Sequence, residues 1–334
     1  MSFPDTKTIC RHVRKAVSSR AAVAAILILM MALALPAGLA AQQQSFVYVN
    51  NQDTVNTVSG FTVSNTGALT PIAGSPFLTN GAGSTATCYG LDRMAVNVAK
   101  GLLFVSNPGD QTISVFQINA TSGALTLAPG SPVQSGITTD GCGGMSLAAT
   151  PDGNFLMVSG NGVIQSFNVA ANGSLTPAVL TSNVSSTNVS MKISSNGQFL
   201  AVSNEVSVSL FTINSDGSLT AAANSPVSPS GTGLVSGLEF TCAGDRLYGS
   251  EISTNSSAID VWSVSAASGL TPITGSPFSG PENDSNIVAL SIDDTKMFTT
   301  SQLSNHVLSY NIATGGAPTR FGSAGTPSTL HVPA

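Results

Sequence analysis

From Phe46 onward, apolar and polar residues alternate in short runs that Gly, Pro, Asn and Ser interrupt every few positions, the period-two pattern of half-buried strands. Six runs are siblings: Phe46-Val47-Tyr48-Val49-Asn50-Asn51, then the segments beginning at Leu102, Phe155, Phe199, Arg246 and Lys296. With Tyr48, Phe104, Met157, Ala201, Tyr248 and Phe298 taken as equivalent, the spacings are 56, 53, 44, 47 and 50 residues. A second apolar run and a tight turn precede all but the first sibling, as in Met145 to Ala149 followed by Pro151-Asp152-Gly153. After each sibling comes another strand, followed in the first five by a Gly-x-Leu-Thr or shortened Gly-Leu-Thr hairpin. The fullest hairpin, Thr66-Gly67-Ala68-Leu69-Thr70, runs into Gly74-Ser75-Pro76-Phe77 and returns as Ser268-Gly269-Leu270-Thr271 with Gly275-Ser276-Pro277-Phe278. Repeats of this length predict a circular array of small sheets. The expected fold is all-β, a propeller of six four-stranded blades, with a C-terminal strand at Ser328–Val332 closing the first blade against Phe46–Asn51. Seven blades is the alternative.

Composition supports strands and adds a compartment. Of 334 residues 42% are hydrophobic and only 8% charged, with 33 Gly and 17 Pro, which suits short strands and turns better than helices. Residues 1–40 are unlike the rest. Lys7, Arg11, Arg14, Lys15 and Arg20 precede an apolar run from Ala21 to Leu35, and Pro36-Ala37-Gly38-Leu39-Ala40 ends in small residues. That order is a signal peptide cleaved after Ala40, leaving 41–334 as one propeller domain, periplasmic or extracellular and monomeric. An apolar run of this length is short for a membrane span. Without the leader, five of the 11 basic and one of the 16 acidic residues are lost, so the body carries 6 minus 15, a net −9. Such a body has no footprint for nucleic acid or for an anionic membrane.

The Tyr-Val-Asn-Asn and Phe-Val-Ser-Asn strands, the Pro-Asp-Gly turns and the Gly-Ala-Leu-Thr…Gly-Ser-Pro hairpins together resemble the lactonase-type propeller family, which includes 6-phosphogluconolactonase and shades into surface proteins built of Tyr-Val-Thr-Asn repeats. The resemblance implies hydrolysis of a lactone, carried out by His, Arg and Glu on one face of a seven-bladed ring. This chain departs from that pattern in showing six copies, an export signal, and only His306 and His331 in the body. No catalytic residue transfers position by position. Two functions follow: a lactone hydrolase, or a non-catalytic secreted or cell-surface module that binds a carbohydrate or a protein.

Candidate chemistry sits on the innermost strands, whose equivalent positions form a ring about the axis. Aligning the runs places His331, Asn97, Ala148, Lys192, Glu239 and Ala289 at one height. Glu239 or His331 is the expected base that activates water, and Lys192 the cation that steadies a carboxylate or oxyanion. A structural Lys192–Glu239 ion pair between blades is the plainer reading. At the mouth, Asp92, Arg93, Asn97, Asn188, Glu251 and Asn286 are expected ligand-binding residues. Convergent carboxylates and amides there could hold Ca²⁺, although turn-closing roles are the plainer assignment and no spacing demands a metal or other cofactor. Cys10 leaves with the leader. Cys88 and Cys142 precede neighbouring inner strands at matching heights and are expected to form a disulfide, with Cys242 a buried thiol. Trp262, in an alternating strand, is expected to pack within its blade.

Overall fold

Each apolar-polar alternation becomes a strand, and each Gly-x-Leu-Thr unit becomes the hairpin joining the last two strands of a sheet. The structure, a computed structural model, describes residues 44–84, 91–139, 145–182, 184, 189–204, 206–231, 233–252, 257–280, 287–301 and 304–325. They form six antiparallel sheets arranged as propeller blades. Blade 1 spans Ser45–Leu78, blade 2 Met94–Gln134, blade 3 Leu147–Ser182, blade 4 Ser190–Ala221, blade 5 Leu234–Ser279 and blade 6 Val288–Gly325. Blade 2 shows the plan: Met94–Asn97 innermost, then Leu102–Asn107, Thr112–Ile118 and the outer Leu125–Leu127, with Val133–Gln134 returning to pair with Thr112–Ile118. The inner strands of blades 2 to 6 stand side by side around the axis. Blade 1 begins at its second strand, Ser45–Asn50. The closing strand expected at Ser328–Val332 lies outside the described residues.

The recurrent Ser-Pro has a local cause. In blades 1, 2, 4 and 5 the outer strand breaks, and the serine hydroxyl oxygen accepts a hydrogen bond from a backbone N–H of the third strand. Gly60 donates to Ser75, Val115 to Ser131, Leu210 to Ser225 and Val261 to Ser276, all at 2.8–3.0 Å. Blades 3 and 6 lack Ser-Pro, and their outer strands, Leu175–Ser182 and Pro318–Gly325, run unbroken. Ser276→Ala should therefore leave the Val261 N–H buried without an acceptor and cost about 1–3 kcal/mol. The urea midpoint would report it, and an unchanged midpoint would remove this role for the serine.

Five apolar clusters fill the seams between consecutive blades. Phe104, Leu147 and Phe167 belong to the seam of blades 2 and 3, and Ala201, Leu238 and Trp262 to that of blades 4 and 5, where the tryptophan is fully buried. Tyrosines add polar ties: the Tyr48 hydroxyl donates to Gly123 O at 2.6 Å and that of Tyr248 to Gly316 O at 2.8 Å, each reaching the hairpin of the next blade. Burial pushes both tyrosines up to about 12, so they remain donors. The flanks of blades 6 and 1 differ. Phe298 of blade 6 is 41% exposed, whereas Phe104, Met157, Ala201 and Tyr248 at the same position are fully buried. Val47 of blade 1 is 40% exposed, against none for Leu103, Leu156, Leu200, Leu247 and Met297.

The strand register corrects the expected axial ring. Every inner-strand residue at that height lies nine before its partner on the second strand: Ala95 opposite Phe104, Ala148 opposite Met157, Lys192 opposite Ala201, Glu239 opposite Tyr248 and Ala289 opposite Phe298. The hairpin has the same length in all five blades, so Ala95, not Asn97, occupies the ring. Asn97 lies opposite Leu102, nearer the turn.

Candidate functional site

Lys192 and Glu239 are brought together on neighbouring inner strands, Ser190–Ile193 of blade 4 and Leu234–Phe240 of blade 5. Lys192 Nζ is 3.7 Å from Glu239 Oε2 and 2.6 Å from Asp92 Oδ1. Asp92 reaches this position because the chain approaches blade 2 from across the axis. Leu91 N donates to Val189 O of blade 4 at 2.9 Å, Leu147 N of blade 3 donates to Asp92 O at 2.7 Å, and the Ser146 hydroxyl donates to Leu91 O at 2.7 Å. Asp92 adopts a left-handed backbone, φ 57°. Its other oxygen, Oδ2, accepts from the Ser190 hydroxyl at 2.5 Å and from Met191 N at 3.1 Å. One lysine therefore stands between two carboxylates, with a net charge of −1 when all three are ionised.

The electrostatics of the three groups are unequal. Burial lowers the Lys192 pKa, but Asp92 and Glu239 together raise it by more, so the ammonium is held charged well above the usual lysine range. In Glu239, burial raises the pKa against the pull of Lys192, and Asp92 adds to the rise, so its carboxyl sits above the ordinary glutamate value. The side chains of Lys192 and Glu239 are still about one-third exposed, so solvent reaches them. Toward the turn end of the inner strands Glu239 borders a cavity of about 250 Å³. Val96, Ile193, Phe240, Leu290 and Ile292 give it an apolar wall, with Val96 and Ile292 half exposed. A small chamber in which this apolar wall faces Asn97, Ser195, Thr241 and the carboxylates of Glu239 and Asp294 accommodates a compact polar ring rather than a polymer.

Residues 94–236 match the family model described as Lactonase, 7-bladed beta-propeller. The chain resembles the lactonase-type β-propellers. A protein from Lactobacillus plantarum is 19% identical with a TM-score of 0.67, covering 84% of this chain and 82% of its own. A putative 6-phosphogluconolactonase from Bacteroides uniformis is 17% identical with the same score and the same coverage, 84% and 82%. The periplasmic gluconolactonase of Pseudomonas aeruginosa is 18% identical, TM-score 0.66, covering 83% of this chain and 82% of its own. At these identities the likeness is one of fold. None of the curated proteins matches the chain.

In this lactonase-like ring the remaining expected residues are placed as follows. His331, Asn188 and Asn286 lie outside the described residues, as do Cys88 and Cys142. Arg93 Nη1 donates to Gln52 Oε1 at 2.9 Å, and burial lowers its pKa. Asn97 is buried, its Nδ2 donating to Thr150 O and its Oδ1 accepting from Lys100 N, so its side chain closes a turn and ties blade 2 to blade 3. Glu251 is buried in blade 5 and accepts from two backbone amides. Among the described residues no group of three or more His, Cys, Asp or Glu side chains is placed to hold a metal ion. Cys242, expected as a buried thiol, is disulfide-bonded. It sits half buried on the turn after Leu234–Phe240, beside the cavity. Sequence reasoning placed Asp92 at the mouth and missed its pairing with Lys192. The pairing depends on a crossing of the axis that no local pattern records.

Proposed function

We propose that the chain is exported and hydrolyses a small lactone in the axial channel, in a periplasmic or extracellular setting. The observation that carries this is the Asp92–Lys192–Glu239 group: three charged side chains converging on the axis of a protein that is 8% charged, next to a small chamber of mixed polar and apolar lining. In this reading Glu239 is the general base. Its raised pKa brings it nearer to the operating pH, where a base is most effective. Water attacks the lactone carbonyl carbon as its proton passes to Glu239, and the carbonyl oxygen becomes an oxyanion facing the Lys192 ammonium. The ring C–O bond then breaks, the departing alkoxide takes the proton back from Glu239, and a hydroxy acid leaves. Asp92 acts as a positioning residue that fixes the lysine. The basic leader, its apolar run and its small-residue end support export, and the fold shared with a periplasmic gluconolactonase is consistent with it.

The test is a panel of five- and six-membered sugar lactones offered to purified protein, with added calcium and with chelator. Hydrolysis above the buffer rate, retained in chelator, is the expected result. Binding of sugars without turnover of any lactone would replace this reading with that of a binding module.

A further inference from the structure

Blades 1 and 2 finish their second strand with a neutral pair. Asn51 Nδ2 donates to the Thr57 and Ser59 hydroxyls at 2.7 and 3.0 Å, and Asn107 Nδ2 to those of Thr112 and Ser114 at 3.0 and 2.8 Å. Blade 5 carries Glu251 where blade 2 has Asn107, and Asp260 where blade 2 has Ser114. Both acids are fully buried. Glu251 Oε1 accepts from Gly231 N at 2.8 Å and Oε2 from Gly233 N at 2.9 Å, while Asp260 Oδ1 accepts from Ser230 N at 3.1 Å. The fourth oxygen, Asp260 Oδ2, is buried with no hydrogen-bond donor.

Among the described residues the charged group facing Asp260 is Glu251, and Ser230 is neutral. Two carboxylates buried against each other cannot both ionise cheaply. Either a proton or a cation must stand between them. Calcium would require six to eight oxygens, and three of the four carboxylate oxygens are already held by backbone amides. One vacant acceptor facing one carboxylate fits a proton.

We propose that Asp260 carries a proton on Oδ2 and donates it to Glu251, so that the pair is a proton-held latch on loop 228–233. The loop leads directly into Leu234–Phe240, the inner strand bearing Glu239, so the latch braces one side of the axial channel. It does not depend on that channel being catalytic. Burial, and then the hydrogen bond with Glu251, push the Asp260 pKa from 3.8 up to about 7. Between those two values the folded protein keeps a proton that the unfolded chain releases, so stability falls as pH rises and levels off above about 7. Once Asp260 ionises, like charges face each other and the grip on Ser230, Gly231 and Gly233 loosens.

The experiment measures the unfolding constant of the full chain from pH 5 to 8 for wild type and Asp260→Asn, whose amide is a permanent donor to Glu251. Relative to the variant, the wild-type constant should rise by up to about tenfold per pH unit below pH 7 and then run parallel. Amide exchange in loop 228–233, corrected for intrinsic rate, should accelerate above pH 7 in wild type alone. If the variant fails to fold, infrared spectra of wild type decide: a protonated buried carboxyl band at pH 6 that fades by pH 8 supports the latch. Parallel profiles, absence of that band, or restoration of stability at pH 8 by sodium or calcium alone would overturn it.

Discussion

Glu239→Gln should lower kcat/KM for lactone hydrolysis by about 100- to 1,000-fold while leaving the fold intact, the usual effect of removing a positioned general base. Glutamine keeps the shape of glutamate and can still accept from Lys192, so the interaction at 3.7 Å need not be lost. What disappears is a group that takes a proton from water. The pH profile sharpens the test. Burial raises the Glu239 pKa, so wild-type kcat/KM should climb with pH through a limb set above the ordinary glutamate range. The variant should lack that limb. If Glu239 only ties blades 4 and 5 together, the substitution will instead lower thermal stability and leave the rate unchanged. Those two outcomes separate a catalytic role from a structural one.

The second large effect concerns packing. Phe104→Ala should destabilise the protein by about 3–5 kcal/mol, because a buried phenylalanine loses its transfer energy and leaves a cavity. Phe298→Ala, at the same position in blade 6, should cost less than about 1 kcal/mol, since that ring is already 41% exposed. Guanidinium midpoints for the pair measure the difference directly. Equal losses would show that the flank of blade 6 is covered in solution as tightly as the flank of blade 2. The comparison holds strand position and residue type constant, so only the neighbouring blade differs.

The blades were legible because each repeats the same local chemistry. Alternation predicts the second and third strands, and the Gly-x-Leu-Thr unit marks the hairpin in blades 1 to 4, shortened to Gly269-Leu270-Thr271 in blade 5. Ser-Pro marks the break in the outer strand where Ser75, Ser131, Ser225 and Ser276 accept backbone hydrogen bonds. Lys192 and Glu239 were legible as neighbours because repeat alignment alone sets their common height. Asn97 was misplaced by two residues, since its alternation fits either position and only the hairpin length decides. Asp92 and Asp260 were harder for a different reason. Each contact has one member in a connection between blades, Asp92 itself in the first and Ser230 in the second, where repeat register carries no information.

The exposed flanks of Phe298 and Val47 bear on how the molecule comes apart. A ring whose every seam is filled has no end from which to fray, but a row of sheets packed only on consecutive neighbours behaves as a one-dimensional stack that melts from its termini inward. Among the described residues the seam of blades 6 and 1 is the least filled, so the ring should open there first and these two blades then become the ends of the row. Asp92, Lys192 and Glu239 draw on blades 2, 4 and 5, so the charged group is carried by interior members of the row and should survive partial melting that strips away either end.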